Sequence, residues 1–374
     1  MRNFLAAIFT LTGLVIGAGI LGIPYVVVRA GFWTGIITIA IVAIALAFMN
    51  LMIGEIALRT KGNHQLAGFA EKYLGKKGKY LMLATTAFAC YSAIVAYTLG
   101  VSESMTVIFG GTQQLWAIVF YAFMALLIYG GINVLAGSET LLEVIQFIIL
   151  FLVLYFMFGS THYNLSSLNG FALSRILTPM GVVLFAFSGL TAVPLMKDIL
   201  KNELKKLKLA IICGKIIVAS VYILFAVAVI GKTGAATTEV ATTGVSQVLG
   251  KPSSLLISGF AILAMTTSFI ALGFVLKEMF HEDFGLSLNK SWALTMLVPP
   301  IAILLGVKSF TLTLDIGGSL SVGIAGIMVI FMHKNVKRLG KLKPAYSIKI
   351  PALFYIVLGA LFVVAVANSL YSLL

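Results

Sequence analysis

Val15-Ile16-Gly17-Ala18-Gly19-Ile20-Leu21-Gly22-Ile23-Pro24 sets three glycines and a proline inside an apolar run long enough to cross a bilayer. Glycine weakens a helix interior and proline removes an amide donor, so the run predicts a transmembrane helix that breaks part-way. Lipid offers no partner to the backbone groups a break frees. Such backbone is tolerated at membrane depth only where protein buries it or it lines a cavity. The break therefore marks a candidate binding site. A second run, Phe185-Ala186-Phe187-Ser188-Gly189-Leu190-Thr191-Ala192-Val193-Pro194, interrupts another apolar segment in the other half of the chain. Paired interruptions of this kind point to a secondary transporter.

Composition agrees with that class. Hydrophobic residues make up 60% of the 374 and charged residues 10%, and the mean hydropathy is +1.09, far from the soluble globular range. The expected fold is an all-α integral membrane protein. Apolar stretches of about 20 residues place spans near 4–28, 33–58, 80–109, 115–131, 138–158, 176–197, 209–231, 254–277, 290–306, 310–332 and 350–372, about eleven helices in all. With the N-terminus inside, the inner loops gather Arg59, Lys61, Lys72, Lys76, Lys77 and Lys79, then Lys197, Lys201, Lys205, Lys206 and Lys208, then Lys334, Lys337, Arg338, Lys341, Lys343 and Lys349. The outer loops keep only scattered cations such as Arg29, Arg175, Lys232, Lys251 and Lys308. This asymmetry places the N-terminus in the cytoplasm and the C-terminus outside.

The net charge of +14 belongs to topology and to anionic lipid rather than to nucleic acid, because the cations flank helix ends. Cys90 and Cys213 are the two cysteines, both within predicted helices and without metal or redox spacing. The opening apolar segment is too long for a signal-peptide core and is read as retained. Few cysteines and compact loops suit a prokaryotic inner membrane.

No segment is large enough for a separate soluble domain, so residues 1–374 form one membrane domain. Five helices per half invert the second half relative to the first, which gives repeats at about 1–158 and 171–335 with an extra helix at about 350–372. Helical spacing from Gln65 to Leu74 predicts a helix on the cytoplasmic surface. The Thr-rich stretch from Thr233 to Gly250 forms either an outer cap or an ordinary loop.

Gly17-x-Gly19-x-x-Gly22 matches the dinucleotide fingerprint in letters only. A Rossmann site needs a preceding strand and an acid about 20 residues on, whereas Glu55 is the first acidic residue of the chain. What survives is the chemistry of free N–H groups at the start of a half-helix, which attract a carboxylate. Ala18 and Gly19 are the expected donors. The competing account is close packing through small residues, as in Gly13-x-x-x-Gly17, but packing alone explains neither Pro24 nor the second break.

Gly17-Ala18-Gly19-Ile20-Leu21-Gly22-Ile23-Pro24 resembles the first-helix signature of the amino acid–polyamine–organocation transporter superfamily, which has the LeuT-type fold of five plus five inverted helices with helices 1 and 6 broken. Ala93-Ile94-Val95-Ala96-Tyr97 and Thr267-Ser268-Phe269 resemble its aromatic and hydroxy amino acid permeases. Phe185-Ala186-Phe187-Ser188-Gly189 is similar to the amino acid/auxin permease branch, and Leu66 to Gly75 to the superfamily's first inner loop. The resemblance implies alternating access around a central site. Ala18 and Gly19 would receive the substrate carboxylate, and the carbonyls of Ile16, Phe185 and Ser188 its ammonium. Phe185 would gate the site; an intramembrane Phe is otherwise packing. Tyr97 either lines the pocket or packs. Thr191 stands where arginine-handling relatives carry a glutamate, and no charged residue is expected at either break, so the substrate reads as a neutral amino acid.

The coupling ion is sodium or a proton. Ala264-x-x-Thr267-Ser268 resembles the eighth-helix half of the LeuT-type sodium site, with the carbonyls of Gly13 and Ile16 as first-helix partners. Hydroxyls in membrane helices also bond back to their own backbone. Phe147 to Phe151 lacks the fifth-helix lysine of some proton-coupled relatives, which favours sodium. Among intramembrane charges, Glu55 reads as an i,i+4 partner of Arg59, Glu139 and Glu143 start the fifth helix, Asp315 starts the tenth, and Lys215 snorkels inward. Glu55 and Glu143 are the carboxylates to test for proton coupling. His64, His162, His281 and His333 fall in or near loops, which argues against an intramembrane enzyme. The expected function is symport of a neutral L-amino acid, aromatic or hydroxylated, with an exchanger or nutrient sensor on the same scaffold as the alternative. No cofactor beyond a coupling sodium ion is expected.

Overall fold

The computed structural model describes residues 2–62, 64–130, 139–159, 163–249 and 251–371, without the side chains of 139–143 and 251–254. The predicted spans are largely helical where they are described, with the main interruptions at the two predicted breaks. The first apolar run forms α1 (Arg2–Val15), a tight turn at Ala18–Gly22 and α2 (Ile23–Ala30). The two parts are bent by 49°. Pro24 sits in the first turn of α2, where its missing amide has no helical partner to lose. Then come α3 (Phe32–Arg59), α4 (Leu66–Phe109), α5 (Gln113–Gly130) and α6 (Glu139–Gly159).

The second broken segment is α7 (Met180–Ala186) and α8 (Ala192–Ile199). Between them Gly189 takes φ +58°, a left-handed conformation that side chains resist. Next are α9 (Leu207–Thr233), α10 (Ala241–Leu249), α11 (Lys251–Glu282) and α12 (Leu288–Leu304). The last spans are α13 (Phe310–Ile316), which runs through a wide π turn at Gly317–Val322 into α14 (Gly323–Leu339), and α15 (Ala352–Tyr371).

Two expectations become specific. The predicted surface helix is the start of α4, separated from the rest of it by Gly75 at φ +79°. The stretch after Thr233 contains a helix, α10, packed on α9 and α11 with Ala241 to Ser246 buried.

Side-chain distribution marks the membrane. Ile118 and Leu126 on α5, Ile148 and Phe151 on α6, Leu297 and Leu304 on α12, and Leu353 and Ile356 on α15 all face outward. Apolar exposure on this scale is untenable in water and normal against lipid. Inside, α1 and α2 lie against α9, α7 lies against α13 and the π turn, and α4 runs along α11, α13 and α14. The two breaks meet in the middle of this packing.

Candidate substrate site at two broken helices

Gly19 and Ala186 make the crossing. A Cβ on Gly19 would lie 2.8 Å from the Ala186 Cα, and one on Gly17 would lie 2.7 Å from Ser268 Oγ. The glycines of the first run thus let it press against α7 on one side and α11 on the other. The opening amides of the turn, Ala18 and Gly19, have no partner within it, as at any helix start, and no side chain caps them. Ile16, Ala18, Gly19 and Tyr97 are buried, whereas Phe185 and Ser188 are partly exposed. Phe185 and Ser92 of α4 both flank the Gly317-Gly318 pair, where a Cβ on Gly318 would collide with the Gly181 carbonyl and press on Phe185. Asp315 lies at the same junction, accepting a hydrogen bond from the Gly181 amide at 3.1 Å.

The carbonyls assigned to a substrate ammonium already have protein partners. Gln146 Nε2 donates to the Ile16 carbonyl at 2.8 Å. The Ser188 amide turns back onto the Phe185 carbonyl at 3.2 Å. Lys215 Nζ lies 2.6 Å from the Phe187 carbonyl and 3.2 Å from that of Ser188. A carbonyl has two lone pairs, so these bonds orient the oxygens without exhausting them. Tyr222 ties the breaks together, its hydroxyl 2.6 Å from the Val15 carbonyl and 2.9 Å from the Ala186 carbonyl. Its ring meets Phe187 edge-on with centroids 4.7 Å apart.

Two expectations about Lys215 are corrected. It does not snorkel: its side chain is buried with 3% exposure. It also places a basic residue at the second break, where none was expected. An ammonium on a long stem reaches the nearest carbonyls freed from helical bonding, and the turn between α7 and α8 supplies them.

Of the residues of the expected ion site, Ile16 and Thr267 are linked through Gln146, whereas among the described residues no hydrogen bond joins Gly13 or Ala264 to the first break. Ala264 is buried, Gly13 lies near the end of α1, and Ser268 abuts Gly17. The Thr267 hydroxyl is 3.0 Å and 3.1 Å from the carbonyls of Leu263 and Ala264, the back-bonding that hydroxyls adopt in helices. It also lies 3.3 Å from Gln146 Oε1. A sodium ion bound by the Ile16 carbonyl and Thr267 would share that carbonyl with the Gln146 amide nitrogen, a donor beside a position where the ion needs oxygen.

Glu55 is more than the partner of Arg59. Its carboxylate accepts from Arg59 Nε at 2.9 Å, Ser347 Oγ at 2.7 Å and the Ile348 amide at 2.8 Å. It also lies 3.0 Å from His333 Nε2. His333 is fully buried on α14, not in a loop, because Glu55 and the Tyr355 hydroxyl, 2.7 Å from Nδ1, occupy both ring nitrogens. Glu143 lies outside the described side chains.

Residues 1–370 match the family model of the tryptophan/tyrosine permeases. The chain belongs to the tryptophan/tyrosine permease family. Two curated relatives align over most of their length. Glutamine transporter 2 of Aliivibrio fischeri is 21% identical over 340 residues, covering 86% of this chain and 84% of its own. Tyrosine-specific transport system 1 of Haemophilus influenzae is 23% identical over 358 residues, covering 88% of this chain and 86% of its own. The permease is thus a multi-pass membrane protein whose two breaks and buried polar ligands are packed together. Gln146, Tyr222 and the Gly317-Gly318 pair carried no weight in the sequence reading. A lone amide in an apolar helix and a glycine pair inside a span were their signals.

Proposed function

We propose that this permease carries a neutral L-amino acid, aromatic or hydroxylated, by symport with sodium or protons through alternating access. The observation that carries this reading is the crossing of the two breaks. It puts the uncapped amides of Ala18 and Gly19 beside backbone carbonyls of the second break, donors for a carboxylate and acceptors for an ammonium within one buried region. Phe185 beside the Gly317-Gly318 pair supplies an aromatic wall, and Tyr97 completes it near Ser268. The substrates named for the two relatives, tyrosine and glutamine, have side chains without net charge, in keeping with Thr191 at the second break. Eleven spans in two inverted repeats of the LeuT type, an N-terminus in the cytoplasm and a bacterial inner membrane complete the proposal. The test is counterflow in proteoliposomes: labelled tyrosine should accumulate transiently against preloaded tyrosine and saturate with concentration. Non-saturating flux without counterflow makes the protein a channel, and absence of flux for every neutral amino acid rejects the carrier.

A further inference from the structure

Lys215 is a buried cation for which the described structure provides no counter-charge. Its ammonium touches only the carbonyls of Phe187 and Ser188, and no carboxylate lies within ion-pair distance among the described residues. The elements packed against α9 carry Arg2, Tyr25, Arg29, Glu55, Arg59, Glu139, Glu143, Tyr155, Lys197, Asp198, Lys205 and Lys206, the side chains of Glu139 and Glu143 lying outside those described. None of the described side chains among them bonds to Lys215. On α9 itself, the Tyr222 hydroxyl is turned to the carbonyls of Val15 and Ala186. Beside the lysine, Gly214 packs on Leu11, and Gly189 packs on Val15. Both acceptors of the ammonium lie in the one stretch between α7 and α8 that has left the helix, next to the left-handed Gly189.

This arrangement is a cation site with its cation attached by a side chain. Unwound carbonyls at a half-helix end are the groups that hold coupling cations in transporters with broken helices, and an isolated charge at membrane depth is costly enough to be a functional candidate. A lysine differs from a bound metal ion in one respect: it loses its charge without leaving. Resting on the carrier reading above, we propose that Lys215 carries the coupling proton. In the protonated form the ammonium clamps the Phe187 and Ser188 carbonyls and holds the second break in the arrangement described. When an N–H bond of the ammonium breaks, the electron pair stays on Nζ, the proton passes to water, and the neutral amine no longer provides a charge-assisted clamp. Reprotonation by water on the other side of the membrane restores it. The other candidate cation position, at the Ile16 carbonyl, already accepts a hydrogen bond from the Gln146 amide; Asp315 also lies near the second break, on the Gly181 amide, but Lys215 is the titratable group bonded to the carbonyls of the unwound stretch itself.

The clamp is read first without transport, by hydrogen–deuterium exchange of residues 184–191 in reconstituted protein, corrected for the intrinsic pH dependence of exchange. Protection in the wild type should fall by about tenfold from neutral to alkaline pH, because local opening sets the exchange rate. Lys215→Arg, whose charge does not titrate, should stay protected throughout, and Lys215→Met should be unprotected throughout. A wild type and Lys215→Arg that respond to pH alike overturn the proposal. Transport supplies the second reading. In Lys215→Met, accumulation driven by a pH gradient should fall at least about tenfold more than the counterflow rate. An equal fall in both makes Lys215 a structural pin, and undiminished accumulation removes it from coupling. If the wild type carries no amino acid, the carrier reading fails while the exchange experiment still decides whether Lys215 clamps the break.

Discussion

Gly19 has no room for a side chain because Ala186 already occupies the space a Cβ would need. Overpacking at a close crossing costs about 1–3 kcal/mol, and here the strain falls on the amides proposed for the substrate carboxylate. Gly19→Val should therefore abolish uptake in proteoliposomes while membrane insertion, read from yield and thermal melting, persists. Gly19→Ala should lose less, and adding Ala186→Gly should recover part of that loss. No recovery would mean that the crossing is not the cause. At the Arg59 end of the molecule, Glu55 has four partners and zero exposure. Removing one member of such a buried network destabilises by about 3–5 kcal/mol. Glu55→Ala should thus lower the melting temperature in detergent strongly, and His333→Ala less, since the carboxylate keeps its other donors. A Glu55→Ala protein that melts like the wild type would return the carboxylate to the list of proton carriers.

Between elements, Tyr222 holds the ends of α1 and α7 with one hydroxyl. Tyr222→Phe keeps the ring against Phe187 but leaves two buried carbonyls short of a donor, at a cost of about 1–3 kcal/mol. Faster hydrogen exchange in both breaks at once is the expected outcome. Exchange accelerated in one break alone would show that they are not coupled through this residue. The breaks themselves were legible in the sequence because glycine and proline act through local backbone physics: Gly17 to Pro24 and Phe185 to Pro194 both depart from the helix where the letters say they should. The π turn at Gly317–Val322 was not legible as a break, since its glycine pair lacks a proline and the helix continues through it. Its cause is tertiary, the close approach of α7 to Gly318. Lys215 was misread for a related reason. Snorkelling is the ordinary behaviour of a lysine within reach of a membrane surface, and only the three-dimensional position of the Phe187 and Ser188 carbonyls offers it a nearer partner. Gln146 carries no charge to mark it in the sequence, yet its amide satisfies the Ile16 carbonyl as a charged donor would.

At the scale of the whole molecule, apolar faces on α5, α6, α12 and α15 meet lipid, while the polar ligands of the structure gather where the two breaks cross and at the Glu55 cluster. A carrier requires that arrangement: most of the protein is a lipid-adapted shell, and the groups able to bind a zwitterion or a coupling cation lie inside it. The crossing is proposed to be a transport site for a neutral amino acid driven by an ion gradient. Its most direct test is uptake of labelled tyrosine, tryptophan, serine, leucine and arginine into proteoliposomes with a sodium gradient or a pH gradient imposed separately. A transport site at the crossing should give concentrative uptake of a neutral amino acid, aromatic or hydroxylated, under one gradient, with arginine excluded. Preference for arginine, or no accumulation of any neutral amino acid under either gradient, would contradict it.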